Sequence, residues 1–455
     1  MTITPPAPVE SFVRPRTGLS LPGGEWFVGA GLGLFVHWDH ASQQGFEISW
    51  PLVGDPVAPG LGDGEGIVTV EQYQSSAATF NPENWDPTGL ACLAKDVGAR
   101  YVVFTARHAA GYSMFHTAYS DFSIEHSAYG RDITRELIDA VRAEGLRVGI
   151  YYSLPDWHHP DYPAFEMADR PYPREFWPDA KDPANAGTPV AEDRHRRATP
   201  EQWACYQQYL RGQIAELLTS YGPIDLLWFD GDWERSEDEW DSAALRELIK
   251  SLQPAVLIND RLPGQGDYRT PEQGFPVITP EGPWELCLTI GKTWGWVPTD
   301  TSNKSAASIV TTLIEVVSRG GNLLLNVGPR GDGSISESHL DALTQVGSWI
   351  EAHAESVVDV SPTTGVDFYG PTTARPGTLY VHLVMRPLED VVVRGIPVHR
   401  ISAVRLLATG EELGYETHLE AHQKPAAGAN VLGELRLPVP MSSGALVDVI
   451  AIEFS

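Results

Sequence analysis

Five short apolar runs in the first part of the chain each finish on side chains able to move protons or carry charge. His37 and Asp39 end GLGLFVHWD (31–39), Arg107 and His108 end ARYVVFTARH (99–108), and Asp156 and Trp157 end LRVGIYYSLPDW (146–157). Asp230 and Asp232 end PIDLLWFDGDW (223–233), and Asn259, Asp260 and Arg261 end PAVLINDR (254–261). A single Asp in such a place is as readily the N-cap of the next helix as a functional group. Five runs delivering polar groups at the same end are better explained by a shared site. Trp228 and Asp230, two apart, share one face of a strand. Trp, His, Arg and two carboxylates suit hydrolysis of a glycosidic bond. One carboxylate attacks the anomeric carbon, a second protonates the leaving oxygen, aromatic rings pack on the sugar, and His and Arg bond its hydroxyls.

The elements that must position these groups are legible as patterns. Two further strand-like runs, WELCLTI (284–290) and GNLLLNVGP (321–329), bring the total to seven. Helical spacing of apolar residues appears between several of them, as in DITRELIDAVRAEG (132–145), WACYQQYLRGQIAELLTSYG (203–222) and SAALRELIKSLQP (242–254). Strands apolar enough for burial on both faces, alternating with helices, predict an α/β fold with a parallel sheet. The number of units predicts a (β/α)8-like barrel, with some irregularity. The eighth strand is expected near VEQYQSSAATF (70–80) or lost to irregularity. In such a barrel the strands' C-terminal ends form the active face, which is where the polar residues fall. After a helix over 338–357 the pattern changes to short β runs between Gly, Pro and Asn turns, among them TLYVHLVM, VVVRGIP, ISAVRLL and ALVDVIAIEF. This predicts a catalytic domain over 1–357 and an antiparallel β-sandwich over 358–455. The stretch 170–200 reads as a loop insertion.

Composition excludes several classes. With 32 basic and 60 acidic residues the chain carries a net charge of −28, which repels polyphosphate and anionic lipid, so neither nucleic acid nor membrane is an expected partner. Three dispersed cysteines, Cys92, Cys205 and Cys287, give no disulfide framework or CxxC pair. The N-terminal stretch lacks an apolar signal core and no long apolar run occurs, so a cytoplasmic location is expected. A metal site assembled from His37, Asp39, His40, His158, His159 and Asp161 is disfavoured, because no HxH pair stands at the first barrel position and no metal or other cofactor is expected. NLLLNVGPRGDG lacks GxxxxGK and reads as a turn.

The motifs together resemble the alpha-L-fucosidases of glycoside hydrolase family 29. The resemblance is carried by GLFVHWD (33–39), YVVFTARHAAGYSMFHTAYSDFSI (101–124), GIYYSLPDW (149–157), LLWFDG (226–231), NDRLPGQGDYRTPEQ (259–273), WELCLTIGKTWGW (284–296) and GNLLLNVGP (321–329). It implies a retaining exo-glycosidase acting on terminal alpha-L-fucosides of an oligosaccharide or glycoconjugate, with Asp230 as nucleophile and Glu272 as acid/base. By the same resemblance His37, His108, Trp50 and Arg261 bind the sugar, and Phe35, Tyr151, Trp228 and Trp296 wall its methyl group. The chain departs from the family pattern at Ala109 and Ala110, where a second His and an acidic residue are usual, and at Asp39, where Gly is usual. Ser49 stands in the usual Glu-Trp pair, and Glu47 is expected to supply the missing acid. These departures leave open an L-galacto-like or other sugar read by Asp39 or His116, and a carbohydrate-binding protein without turnover. An oligomer is compatible with the sequence.

Overall fold

The computed structural model describes residues 21–52, 68–162, 198–422 and 428–455. Nearly all of the expected 170–200 insertion lies outside the described residues. The seven apolar runs become β1 (Leu32–Val36), β2 (Tyr101–Arg107), β3 (Arg147–Ser153), β4 (Leu226–Asp230), β5 (Leu257–Ile258), β6 (Glu285–Thr289) and β7 (Asn322–Val327). They form one curled parallel sheet in the order β5-β4-β3-β2-β1-β7-β6. The strands are buried along nearly their whole length, as expected where helices cover one face and the barrel interior the other.

The edge strands β5 and β6 are joined by residues 267–273. Asp267 N donates to Ile258 O at 2.7 Å, Cys287 N to Pro271 O at 3.1 Å and Gln273 N to Cys287 O at 2.9 Å. Isolated parallel bridges pair Asn259 with Tyr268, Arg269 with Trp284 and Glu272 with Cys287. This stretch is the missing eighth stave. Pro271 withholds a donor, and the polar run around it has no strand alternation, so the stave carries no readable pattern. Residues 70–80, where the strand was expected, instead open on the helix α1 (Val70–Gln74). Thr69 and Gln72 close a reciprocal capping box there, and this local signal wins over the apolar pattern.

The other helices are α2 (Pro87–Asp96), α3 (Ile133–Ala143), α4 (Pro200–Ser220), α5 (Glu237–Trp240), α6 (Ser242–Leu252), α7 (Ala306–Ser318) and α8 (Glu337–His353). Side-chain caps start most of them: Asp86 on Gly89 N, Asp132 on Arg135 N, Thr199 on Gln202 N, Ser305 on Ser308 N and Ser336 on His339 N. The Thr199–Pro200 start sets α4 three residues ahead of the apolar pattern, Pro at the first position losing no bond.

Beyond α8 come β8 (Ser361–Pro362), β9 (Thr372–Arg375), β10 (Thr378–Leu383), β11 (Asp390–Pro397), β12 (Ile401–Leu406), β13 (Glu416–His418), β14 (Leu432–Pro438) and β15 (Asp448–Phe454). They build two antiparallel sheets, β12-β15-β10-β9-β8 and β11-β14-β13. Leu379, Val381, Ile450 and Ile452 of the first pack with Val391, Val393, Leu435 and Leu437 of the second in one apolar cluster. The alternate residues Tyr380, Val449 and Ala451 join the cluster that holds Trp349 and Ile350 of α8. Trp349 Nε1 donates to Val447 O at 2.8 Å, so the sandwich clasps the barrel's last helix.

Candidate active site

The C-terminal end of β4 places Asp230 beside Arg261. Asn259 holds the two segments together by bonding both the amide and the carbonyl of Phe229, each at 2.8 Å. Arg261 Nη1 donates to Asp230 Oδ1 at 2.7 Å, and its Nη2 donates to Glu272 Oε2. A single guanidinium therefore ties together carboxylates 42 positions apart in sequence. It lies over the Trp228 ring, 4.8 Å from the centroid. The other Asp230 oxygen accepts from the Tyr151 hydroxyl at 2.7 Å, which fixes the plane of the carboxylate. Glu272 sits on the eighth stave, whose approach is set by Asp260 accepting from Thr270 N at 3.0 Å and Thr270 Oγ1 at 2.6 Å.

A floor of rings lies next to this pair. Tyr151 stacks on Trp228 with centroids 5.5 Å apart and on His108 at 5.4 Å. Phe35 lies 5.2 Å from Trp228 and 4.3 Å from His37. The fourth ring of the wall is Trp294, 5.9 Å from Phe35 and 4.8 Å from His37, and not the expected Trp296. Trp296 lies instead near Arg330, whose guanidinium is 6.0 Å from its ring. In WGW the two Trp residues are indistinguishable by sequence; the bend between them decides which turns inward. That bend needs Gly328 beneath it, because a Cβ there would stand 2.6 Å from Gly295 C.

Both pocket histidines are neutral. Burial first, then His108, pushes His37 down to about 3, and burial pushes His108 down to about 4. Asn326 Nδ2 donates to Trp294 O at 2.7 Å, so its oxygen faces His37 Nδ1 at 2.7 Å. The proton of His37 thus sits on Nδ1 and its Nε2 is an acceptor. Trp50, half-buried, lies 6.3 Å from His108 and 5.9 Å from Trp157. Asn326 escaped the sequence reading, its one signal being a polar residue inside the apolar run NLLLNV, and Ser49 was read only as a departure from the Glu-Trp pair.

Other expected contributors lie elsewhere. Glu47 is fully buried, and its oxygens accept from Trp294 N at 2.7 Å and Gly295 N at 2.8 Å, so it holds the Trp294 loop. Burial pushes it up to about 8. Asp39 caps the turn at His40–Gln44 through Ala41 N at 2.7 Å, and burial raises it to about 7. His116 is exposed and bonds Gly130 O. Arg107 and Asp156 pair at 2.7 Å with both side chains buried, the guanidinium 4.1 Å from the Tyr152 ring, a structural ion pair. Two further acids precede and open β6: Glu285 is buried beneath Trp228, accepting from its Nε1 at 2.9 Å and from Tyr101 at 2.6 Å, while Glu281 is exposed. Among the described residues no group of three or more His, Cys, Asp or Glu could hold a metal ion.

A barrel with paired carboxylates and an aromatic floor at the C-terminal face defines a glycoside hydrolase of the two-carboxylate class. The alpha-L-fucosidase family model matches residues 19–355. Alpha-L-fucosidase of Dictyostelium discoideum is 27% identical over 440 residues, 90% of this chain and 88% of its own. Tissue alpha-L-fucosidase of Rattus norvegicus is 28% identical over 442 residues, 90% of this chain and 85% of its own. Among solved structures, alpha-L-fucosidase isoenzyme 1 from Paenibacillus thiaminolyticus superposes with a TM-score of 0.76 at 32% identity, covering 95% of this chain and 99% of that one. A Bacteroides thetaiotaomicron family 29 fucosidase trapped as a covalent intermediate shares the fold, with a TM-score of 0.75 at 22% identity over 99% of this chain and 100% of that one. The chain belongs to the alpha-L-fucosidase family.

Proposed function

We propose that this chain hydrolyses terminal alpha-L-fucosides of oligosaccharides or glycoconjugates with retention, Asp230 acting as nucleophile and Glu272 as acid/base. The observation that carries the reading is the Arg261 guanidinium bonded to both carboxylates. Carboxylates on neighbouring nitrogens of one guanidinium fit the roughly 5–5.5 Å spacing of retaining enzymes better than the roughly 6.5–9.5 Å that admits a water. In the first step Asp230 attacks the anomeric carbon while Glu272 gives its proton to the leaving oxygen. In the second, Glu272 takes a proton from water, which attacks the same carbon and releases Asp230. The sugar's methyl group rests on Phe35, Tyr151, Trp228 and Trp294. Its hydroxyls meet His37, His108 and Trp50, and Arg261 lies at the ring's edge. NMR of the first product released from an aryl alpha-L-fucoside tests the reading: the alpha anomer is expected, and the beta anomer first would refute retention.

A further inference from the structure

We infer that Asn326 is a positioning residue for specificity, its one amide tying the Trp294 ring that walls the sugar's methyl group to the His37 imidazole that meets its hydroxyls. The inference rests on the fucoside-binding reading above. Asn326 is buried on β7, in register with Phe35 of β1 and Thr289 of β6. Its Nδ2 donates to Trp294 O and its Oδ1 lies against His37 Nδ1, each at 2.7 Å. The amide of Trp294 is held as well, donating to Glu47 Oε1 at 2.7 Å, while Gly295 N donates to Glu47 Oε2 at 2.8 Å. Trp294 belongs to no helix or strand, so both polar groups of its backbone end on side chains distant in sequence. Glu47 itself stands beside a strained residue. Ile48, buried and β-branched, has φ 37, with Glu47 on the Trp294 loop to one side and Ser49 Oγ 2.6 Å from His108 Nδ1 on the other. Strain of this kind persists where the surroundings hold it, as they do around a preorganised site. A carbonyl only accepts, so the NH2 end of Asn326 must serve Trp294, and the oxygen is left for His37. Loss of this amide thus releases the methyl wall and a hydroxyl ligand together.

The test compares kcat/KM of the full-length enzyme on an aryl alpha-L-fucoside and on the matching L-galactoside, whose ratio reports how well the methyl group is read. Asn326→Ala is expected to lower that ratio about threefold through Trp294, and to raise KM for both sugars about tenfold through His37. Asn326→Asp keeps the shape and an acceptor for His37 but sets an oxygen against Trp294 O, so it should lower the ratio too, and it serves where Asn326→Ala does not fold. Glu47→Gln, which turns an NH2 towards one of the two backbone amides, should do the same. In Trp294→Ala the ratio has already fallen, and adding Asn326→Ala should leave it there while the rise in KM remains. A residue that only supports the fold would lower the melting temperature and slow both substrates alike. An unchanged ratio in the folded Asn326 variants overturns the inference, as does a further fall when Asn326→Ala is added to Trp294→Ala. Absence of turnover of any alpha-L-fucoside by the wild type would refute the functional reading, and the ratio of dissociation constants for L-fucose and L-galactose, measured by calorimetry on the same variants, would still decide the role of Asn326.

Discussion

Replacing Arg261 with Ala removes a side chain that bonds both Asp230 and Glu272, and the cost can be worked out bond by bond. A hydrogen bond to a charged group contributes about 1.5–3 kcal/mol. The Asp230 side chain is 16% exposed and that of Arg261 14%, so their bond keeps about 2 kcal/mol. Glu272 is 35% exposed, and solvent screening reduces its share to about 1 kcal/mol. About 3 kcal/mol in total is about two decades in kcat/KM at 1.36 kcal/mol per decade. The two shares separate by leaving group. A p-nitrophenyl fucoside departs without a proton and should lose mainly the Asp230 share, about 1.5 decades, whereas a fucosyl disaccharide needs Glu272 in place and should lose the full amount. Arg261→Lys, a point charge unable to span both groups, should fall between Ala and the wild type. The assay is kcat/KM on both substrates for the three enzymes. Equal losses on both, or a loss under tenfold on either, would refute the idea that Arg261 positions the pair and leave it a sugar ligand alone.

Exchanging the carboxylates should separate their roles. Asp230→Ala should abolish turnover of every fucoside, whereas Glu272→Ala should keep forming the covalent intermediate from an activated fucoside and be rescued by azide as the fucosyl azide; rescue of Glu285→Ala or Glu281→Ala in its place would reassign the acid/base. One methyl buried on the Phe35 and Trp294 wall contributes about 1 kcal/mol, so the corresponding L-galactoside should react more slowly by no more than one to two decades, and Trp294→Ala should narrow the gap where Trp296→Ala does not. Acid should destabilise the fold through its buried histidines. Burial, and for His37 and His382 a second histidine, holds His37, His40 and His382 at about 3, below the 6.5 of an exposed imidazole, so the unfolded chain binds more protons. Their stabilisation is complete above pH about 6.5 and is lost as pH falls towards 3, by up to about 1.4 kcal/mol per unit for each. The melting temperature of His382→Gln should fall less steeply with acid than that of the wild type, and parallel curves would remove His382 from the account.

What the sequence determined by itself was whatever depends on local periodicity. Seven strands were readable because a strand covered on both faces must be apolar throughout, and four of the helices because their apolar residues recur three and four apart. The Asp230 end of β4 was readable for a related reason: a carboxylate closing an apolar run stands out against its neighbours. Tertiary structure decided what depends on which distant groups meet. The eighth stave has no pattern because its bonds go to β5 and β6 as isolated bridges, so nothing in TPEQ announces a strand. Glu47 was expected to supply an acid to the sugar, and no part was expected of Ser49. Burial behind the Trp294 loop committed both oxygens of Glu47 to backbone amides, while the shorter Ser49 came to rest against His108. Trp294 and Trp296 differ in nothing local, and a bend over Gly328 turned one of them into the pocket. Arg107 and Arg261 each end an apolar run in the same way. One meets Asp156 beneath the surface and becomes part of the core, and the other meets Asp230 and Glu272 at the mouth of the barrel, because a side chain's partners are set by the packing of the whole chain.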